Sequence, residues 1–496
     1  MGSGVAQSGE PSWRKRRRRH RPRRSHGSTD RIDPVAPACS SPTSHRDSLE
    51  ESTVKRSASR SRALLGRRWR SAIIATATLC FSWLSVPPAN AETILSVLYA
   101  VPSNFSKLHD ELSQKFTQKN PDIKIVFRSP AKDYEDGIQQ ILRSAVVGDT
   151  PDVAFIGLNQ LRVLVDRGLA APLDERAASE GGFETLGSMR SIVSLGRVQG
   201  RTYAMPFAVS TPILYVNEDL VRAAGGAMDA FPTTWDGVLA LSRKIHALPK
   251  APVGFSFQWD TSGNWLVQAL VNSHGGNLAK DGGCRVGFDG AAGAWTFDTL
   301  QKFHDQGMPD LTWSQGRQAF DAGTVGILAG STSYVAQATR VAAGKFAFRT
   351  MPFPDMVPGG TLPAGGTSAV ILTKDPEKQH AAWAYLKFAT GPVGQTLMAT
   401  DTGYMPVNRI AVDDPALLGN YLKQNPNQLT AIAQMPLMAP WESWAGPNGI
   451  KIIDMISSKA EAIIAGKLLA QDGLRQLVEE VPPLLPADCA VPTPLQ

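Results

Sequence analysis

No signature of covalent or metal chemistry can be read in the 496 residues: G-x-S-x-G, H-E-x-x-H, C-x-x-C and G-x-x-x-x-G-K-[ST] are all missing. The eight histidines are scattered, without the ligand spacings of a zinc site, so neither a metal nor a cofactor is expected. Cysteine is scarce. Of four, Cys39 and Cys80 fall in the N-terminal region, leaving Cys284 beside Gly282-Gly283 and Cys489 near Pro486. Those two lie in loop-like surroundings and are candidates for a disulfide in an oxidising compartment. Long apolar runs are lacking too. Residues 72–86 are the best candidate, shorter than the roughly twenty residues a membrane-spanning helix needs.

Charge is present, but unevenly. Residues 1–91 hold 18 of the 51 Lys and Arg and only 6 of the 44 Asp and Glu, so the chain from Glu92 onward is acidic overall. The formal net charge of +7 therefore describes two different objects and gives the folded part no nucleic-acid role. Residues 1–66 read as a basic, disordered extension. Residues 67–91 read as a secretory signal: Arg67-Arg68-Trp69-Arg70, an apolar core, then Pro-Pro-Ala-Asn-Ala with a cleavage site before Glu92. An uncleaved anchor is the alternative. Because Met1 is the only methionine before Met189, a later start at Val54, Leu64 or Leu65 would give a signal of ordinary length.

The 405 residues from Glu92 onward exceed the size at which one core keeps growing, so two lobes are expected. Strand patterns at 93–99, 123–127 and 153–156 alternate with helical spacing at 105–119, 134–147 and 161–167, predicting an open, mostly parallel α/β sheet. Residues 206–219 are the most informative segment. Pro206 and Pro212 hold the chain extended, 213–216 is a short apolar strand, and Asn217-Glu218-Asp219 begins a helix, as a crossover between lobes would require. The second lobe has a helix over 237–246 capped by Thr234, a helix over 295–306, and, after the segment 317–322, a strand over 325–329. A second crossover is expected near Met351-Pro352-Phe353-Pro354. The boundaries are then 92–210 and 353–405 for lobe 1, 211–352 for lobe 2, and 406–496 for C-terminal helices mainly on lobe 2.

Several motifs stand in a specific order: FTQKNPDIKIVF (116–127), GDTPDV (148–153), the crossover at 206–219, TTWD (233–236), 320–329, GGTSAVIL (365–372), 381–389 and TGYMPVN (402–408). Together they resemble the substrate-binding proteins of ABC importers, in extracellular solute-binding family 1, which take up sugars and glycerol 3-phosphate. The resemblance spans nearly all of 92–496. It implies two hinge-linked α/β lobes closing on a small-molecule sugar or glycerophosphate, periplasmic location, monomeric state and ABC permease partners.

Within that resemblance, the glycerol 3-phosphate branch places ligand contacts at Tyr134, Ser210, Ser331, Gly366 or Gly365, and Tyr404, with Trp259 and Trp265 corresponding loosely to its tryptophans. Two positions depart from the pattern. The acidic residue expected after the Pro-Asp-Val strand is Leu158 or Asn159, and the phosphate-binding arginine falls near Ala445, with Trp441, Trp444 and Lys451 around it. Loss of a bidentate arginine weakens the case for phosphate, whereas Trp441 and Trp444 suit the apolar faces of a sugar. A secreted carbohydrate-active hydrolase is the alternative, with Asp260 and Glu442 as its candidate carboxylates.

Overall fold

A computed structural model describes residues 92–250 and 252–487. The basic extension, the signal segment and Cys489 lie outside the described residues.

Apolar side chains of the first strands alternate between two cores. Leu95, Val97, Val153 and Phe155 face Phe105, Leu112, Phe116 and Trp383, while Leu98, Ala154 and Ile156 face Ile138 and Ile141 on the opposite side. A sheet covered by helices on both faces explains why Val153–Gly157 is buried at every residue. Thr93–Tyr99 lies between Ile123–Phe127 and Val153–Gly157, parallel to both. Leu362–Ile371 then adds antiparallel to Val153–Gly157 and to Ala204–Ser210, and parallel to Met438–Pro440.

A second sheet runs Phe348–Pro352, Pro212–Asn217, Val325–Ser331, Val253–Phe257. The two sheets meet at one residue. Ser210 pairs with Gly365 in the first and Pro212 pairs with Ser331 in the second, leaving only Thr211 between them. Its backbone N–H bonds the Thr332 hydroxyl at 3.3 Å, and its carbonyl accepts from the Thr332 N–H at 3.2 Å. The chain returns to the first sheet between Pro352 and Leu362. Gln434 ties the two passages together: its amide donates to the Thr211 hydroxyl (3.1 Å) and the Pro212 carbonyl (2.9 Å) and accepts from the Phe353 N–H (2.9 Å).

Caps fix the helices where the sequence places them. Asp133 accepts from the Asp136 N–H, Asn217 from those of Asp219 and Leu220, and Thr234 from that of Gly237. Several helices begin earlier than their apolar spacing suggests. Pro102 occupies the first turn of Pro102–Lys119, where its missing N–H costs nothing, and a Thr312/Gln315 capping box opens Trp313–Asp321. The helices Gly449–Ile464 and Ala470–Glu480 pack on Ala291–Asp305, beside the second sheet. The short helices Arg409–Asp413 and Asn420–Gln424 instead share a small core with Pro392–Thr402 through Ala399, Ala411, Leu418 and Leu422.

Candidate functional site

The strand ends on either side of Thr211 bring Ser210 and Ser331 to one pocket of about 90 Å³, lined from both sheets. The first lobe adds Tyr134 at a helix start, Gly365 and Gly366 at a bend of Leu362–Ile371, and Tyr404. The second adds Trp265, Trp313, Arg317 and Ser333, and Trp441 closes one side. Gly366 is required by its backbone: φ is +122°, and a Cβ there would lie 2.0 Å from the Ala208 carbonyl oxygen.

Hydroxyls dominate the polar lining. The Tyr134 hydroxyl bonds that of Thr367 at 2.6 Å. The Tyr404 hydroxyl interacts with those of Tyr134 and Ser333 and with the Asn104 amide, so it joins the lobes. Burial raises the pKa of both tyrosines above the ordinary phenol value, keeping them as neutral donors and acceptors. Trp441 sets its ring edge-on to Tyr134 (5.9 Å) and to Trp265 (6.4 Å), while its indole N–H reaches the Gly263 carbonyl at 3.3 Å. The result is an apolar wall opposite a row of hydroxyls.

Arg317, which sequence reasoning missed, is one of two cations lining this pocket, the other being exposed Lys132, paired with Asp133 at 3.6 Å. In the sequence Arg317 is only the first residue of the segment before the strand at 325–329, with Trp313 four positions earlier as the available signal. In the structure its guanidinium lies over the Trp313 and Tyr334 rings, each at 4.8 Å, and donates to the Ser333 hydroxyl at 3.2 Å. Ala445, where the resemblance puts an arginine, is buried against a different cavity, and Lys451 is exposed outside the pocket. Trp259 and Trp444 also lie apart from the lining. Trp259 is buried with its indole N–H unpartnered, and Trp444 packs edge-on to Phe288 at 6.4 Å. Neither stands in an element whose period would have distinguished it from Trp265 or Trp441.

Glu135, next to Tyr134, faces the Ser262 hydroxyl and the Gly263 backbone of the second lobe, and burial raises its pKa to about 7. One of its carboxylate oxygens has no hydrogen-bond partner.

Trp441 also borders a larger groove of about 1120 Å³. Leu158, Asn159 and Arg162 line it from the first lobe and Glu442 and disulfide-bonded Cys284 from the other side; Arg162 bridges to the Gly282 carbonyl at 2.7 Å. The carboxylates Glu442 and Asp260 do not face one another across a cavity. Glu442 lines this groove and accepts from the Ala279 N–H at 2.7 Å, whereas Asp260 accepts from the Trp313 N–H at 2.8 Å. Burial raises both, to about 7 and about 6. Among the described residues there is no cluster suited to a metal ion, and no helix is long and apolar enough to cross a membrane.

Two α/β lobes linked by strand crossovers, with a polar and aromatic pocket at the junction, define a cleft-type binding protein. Residues 111–427 match the bacterial extracellular solute-binding protein family, and the chain belongs to it. It is 26% identical over 295 residues to the sn-glycerol-3-phosphate-binding periplasmic protein UgpB of Rhizobium meliloti, covering 56% of this chain and 67% of that protein. It is 24% identical over 421 residues to a putative binding protein of Brucella abortus, covering 82% and 95%. Among solved structures, UgpB from Mycobacterium tuberculosis in complex with glycerophosphocholine superposes with a TM-score of 0.68 at 22% identity, covering 78% of this chain and 97% of that one. Maltose-bound MalE3 of T. maritima gives 0.67 at 19%, covering 79% and 100%. These structures share the two-lobe fold.

Proposed function

We propose that the protein is the solute-capturing component of an ABC importer, working in the periplasm as a monomer and passing a sugar or glycerophosphate-type solute to the membrane permease. The observation that carries this reading is the pocket at Thr211, where Ser210 and Tyr134 of one lobe meet Ser331 and Arg317 of the other. A solute touching both lobes favours the closed arrangement by its differential affinity for it. Tyr134, Ser210, Trp265, Ser331, Gly366, Tyr404 and Trp441 are the contacts of that solute. Capture needs no chemical step, and the separate settings of Asp260 and Glu442 give the hydrolase reading no carboxylate pair.

A thermal-shift screen against glycerol 3-phosphate, glycerophosphodiesters and mono- and disaccharides tests this, because a solute bound only by the folded state raises its melting temperature. Stabilisation without turnover is expected. Hydrolysis of a glycoside in the panel would replace capture with catalysis.

A further inference from the structure

The position where a phosphate-binding arginine was expected is occupied by Ala445, on the groove rather than the pocket. The pocket nevertheless contains a guanidinium whose own needs are only partly met. Arg317 has its Nε buried and without a hydrogen-bond partner, and its one side-chain acceptor is the neutral Ser333 hydroxyl. The carboxylates whose charge it feels are committed elsewhere. Asp321 accepts from the Tyr334 hydroxyl and from the Gln337 amide at 3.1 Å, and Asp260 is held by the Trp313 N–H. Arg317 forms no ion pair with any described residue.

A partly desolvated cation with a buried, open donor is costly in the empty protein and becomes favourable when an anion arrives. The Trp313 and Tyr334 rings flank the guanidinium and hold its plane, so the donors left over are pre-oriented rather than free to wander. Hydroxyls of Ser331, Ser333 and Tyr404 line the same pocket and can donate to further oxygens of one ligand group.

We propose that Arg317 is the anion-recognition residue of this pocket, and that the captured solute carries a phosphate or carboxylate group which Arg317 binds. This rests on the solute-binding reading. Arg317 thereby sets specificity: the other lining cation, Lys132, is exposed and already paired with Asp133 at 3.6 Å, and the rest of the pocket offers hydroxyls, amides and aromatic rings, as a neutral-sugar site would.

Calorimetric titration of the protein with glycerol 3-phosphate, glycerate, glycerol and maltose separates the cases, with Arg317→Gln and Arg317→Lys measured alongside. One of the two anions should bind, identifying phosphate or carboxylate as the group, and glycerol should not compete with it. Arg317→Gln should weaken that anion at least about 30-fold, since one partner of a desolvated pair is lost. Arg317→Lys, which keeps charge but not the planar fork, should fall between. The melting temperature of unliganded Arg317→Gln should not drop, because a half-buried charge with an unpartnered donor has been removed; a purely structural arginine would lower it. Maltose bound equally by wild type and Arg317→Gln, with neither anion binding, overturns the anion role and leaves solute capture standing. Binding of none of the four overturns the anion role, and the wider screen of glycerophosphodiesters and sugars then decides solute capture. If Arg317→Gln does not fold, the wild type alone decides: glycerol competing as well as glycerol 3-phosphate refutes the proposal.

Discussion

Replacing Glu135 with Gln should remove a pH dependence from solute binding. Glu135 sits on the first lobe and faces Ser262 and Gly263 of the second, where burial and the like charge of Asp133 raise its pKa from 4.5 to about 7. Parting the lobes returns the carboxyl to water and to its ordinary value. The closed form therefore binds a proton more readily than the open form, and closure takes up a proton between those two values. Its contribution is fully present below the open-state pKa and is lost as pH rises through about 7. A shift of this size corresponds to about 3 kcal/mol, or on the order of 100-fold in affinity between about pH 5 and about pH 8. The assay is the dissociation constant of one solute across that range in wild type and Glu135→Gln, so that any titration of the solute itself cancels. The wild type should tighten toward acid and the amide variant should stay tight and flat relative to it. Parallel slopes in the two proteins would refute the reasoning.

Three further outcomes follow from the same geometry. Gln434→Ala removes three hydrogen bonds between the crossovers and leaves buried partners unpaired, so unfolding free energy measured in urea should fall by about 3 kcal/mol. Tyr134→Phe deletes only the hydroxyl that meets Thr367 and Tyr404; calorimetry should find the solute bound roughly five- to tenfold more weakly, with the fold retained. Gly366→Ala forces a Cβ onto the Ala208 carbonyl oxygen at a backbone angle alanine rarely adopts, and should cost more than about 3 kcal/mol by the same denaturation measurement.

What the sequence makes legible here is what is decided locally. The apolar strand patterns at 93–99 and 153–156, apolar spacing at Leu108, Leu112 and Phe116, and the caps Asn217 and Thr234 involve neighbours a few residues apart, and the structure has them where that pattern puts them. The pairing of Leu362–Ile371 with both Val153–Gly157 and Ala204–Ser210 joins segments far apart in the chain, and no local signal carries it. The same divide runs through the site. Ser210 and Tyr404 sit in motifs of definite order, whereas Arg317 acquires its role only because Val325–Ser331 and Pro212–Asn217 pair, bringing Ser331 and Ser333 beside it. Trp441 and Trp444 lie three residues apart in a Pro/Gly-rich loop without a period, so only packing separates the one in the pocket from the one against Phe288.

The most direct test of the account is a crystal structure of the protein grown with the solute that most raises its melting temperature. Electron density between Tyr134, Ser331, Tyr404 and Trp441, with the solute touching both lobes, is the predicted result. Density confined to the groove beside Arg162 and Glu442, with the Thr211 pocket empty, would contradict it.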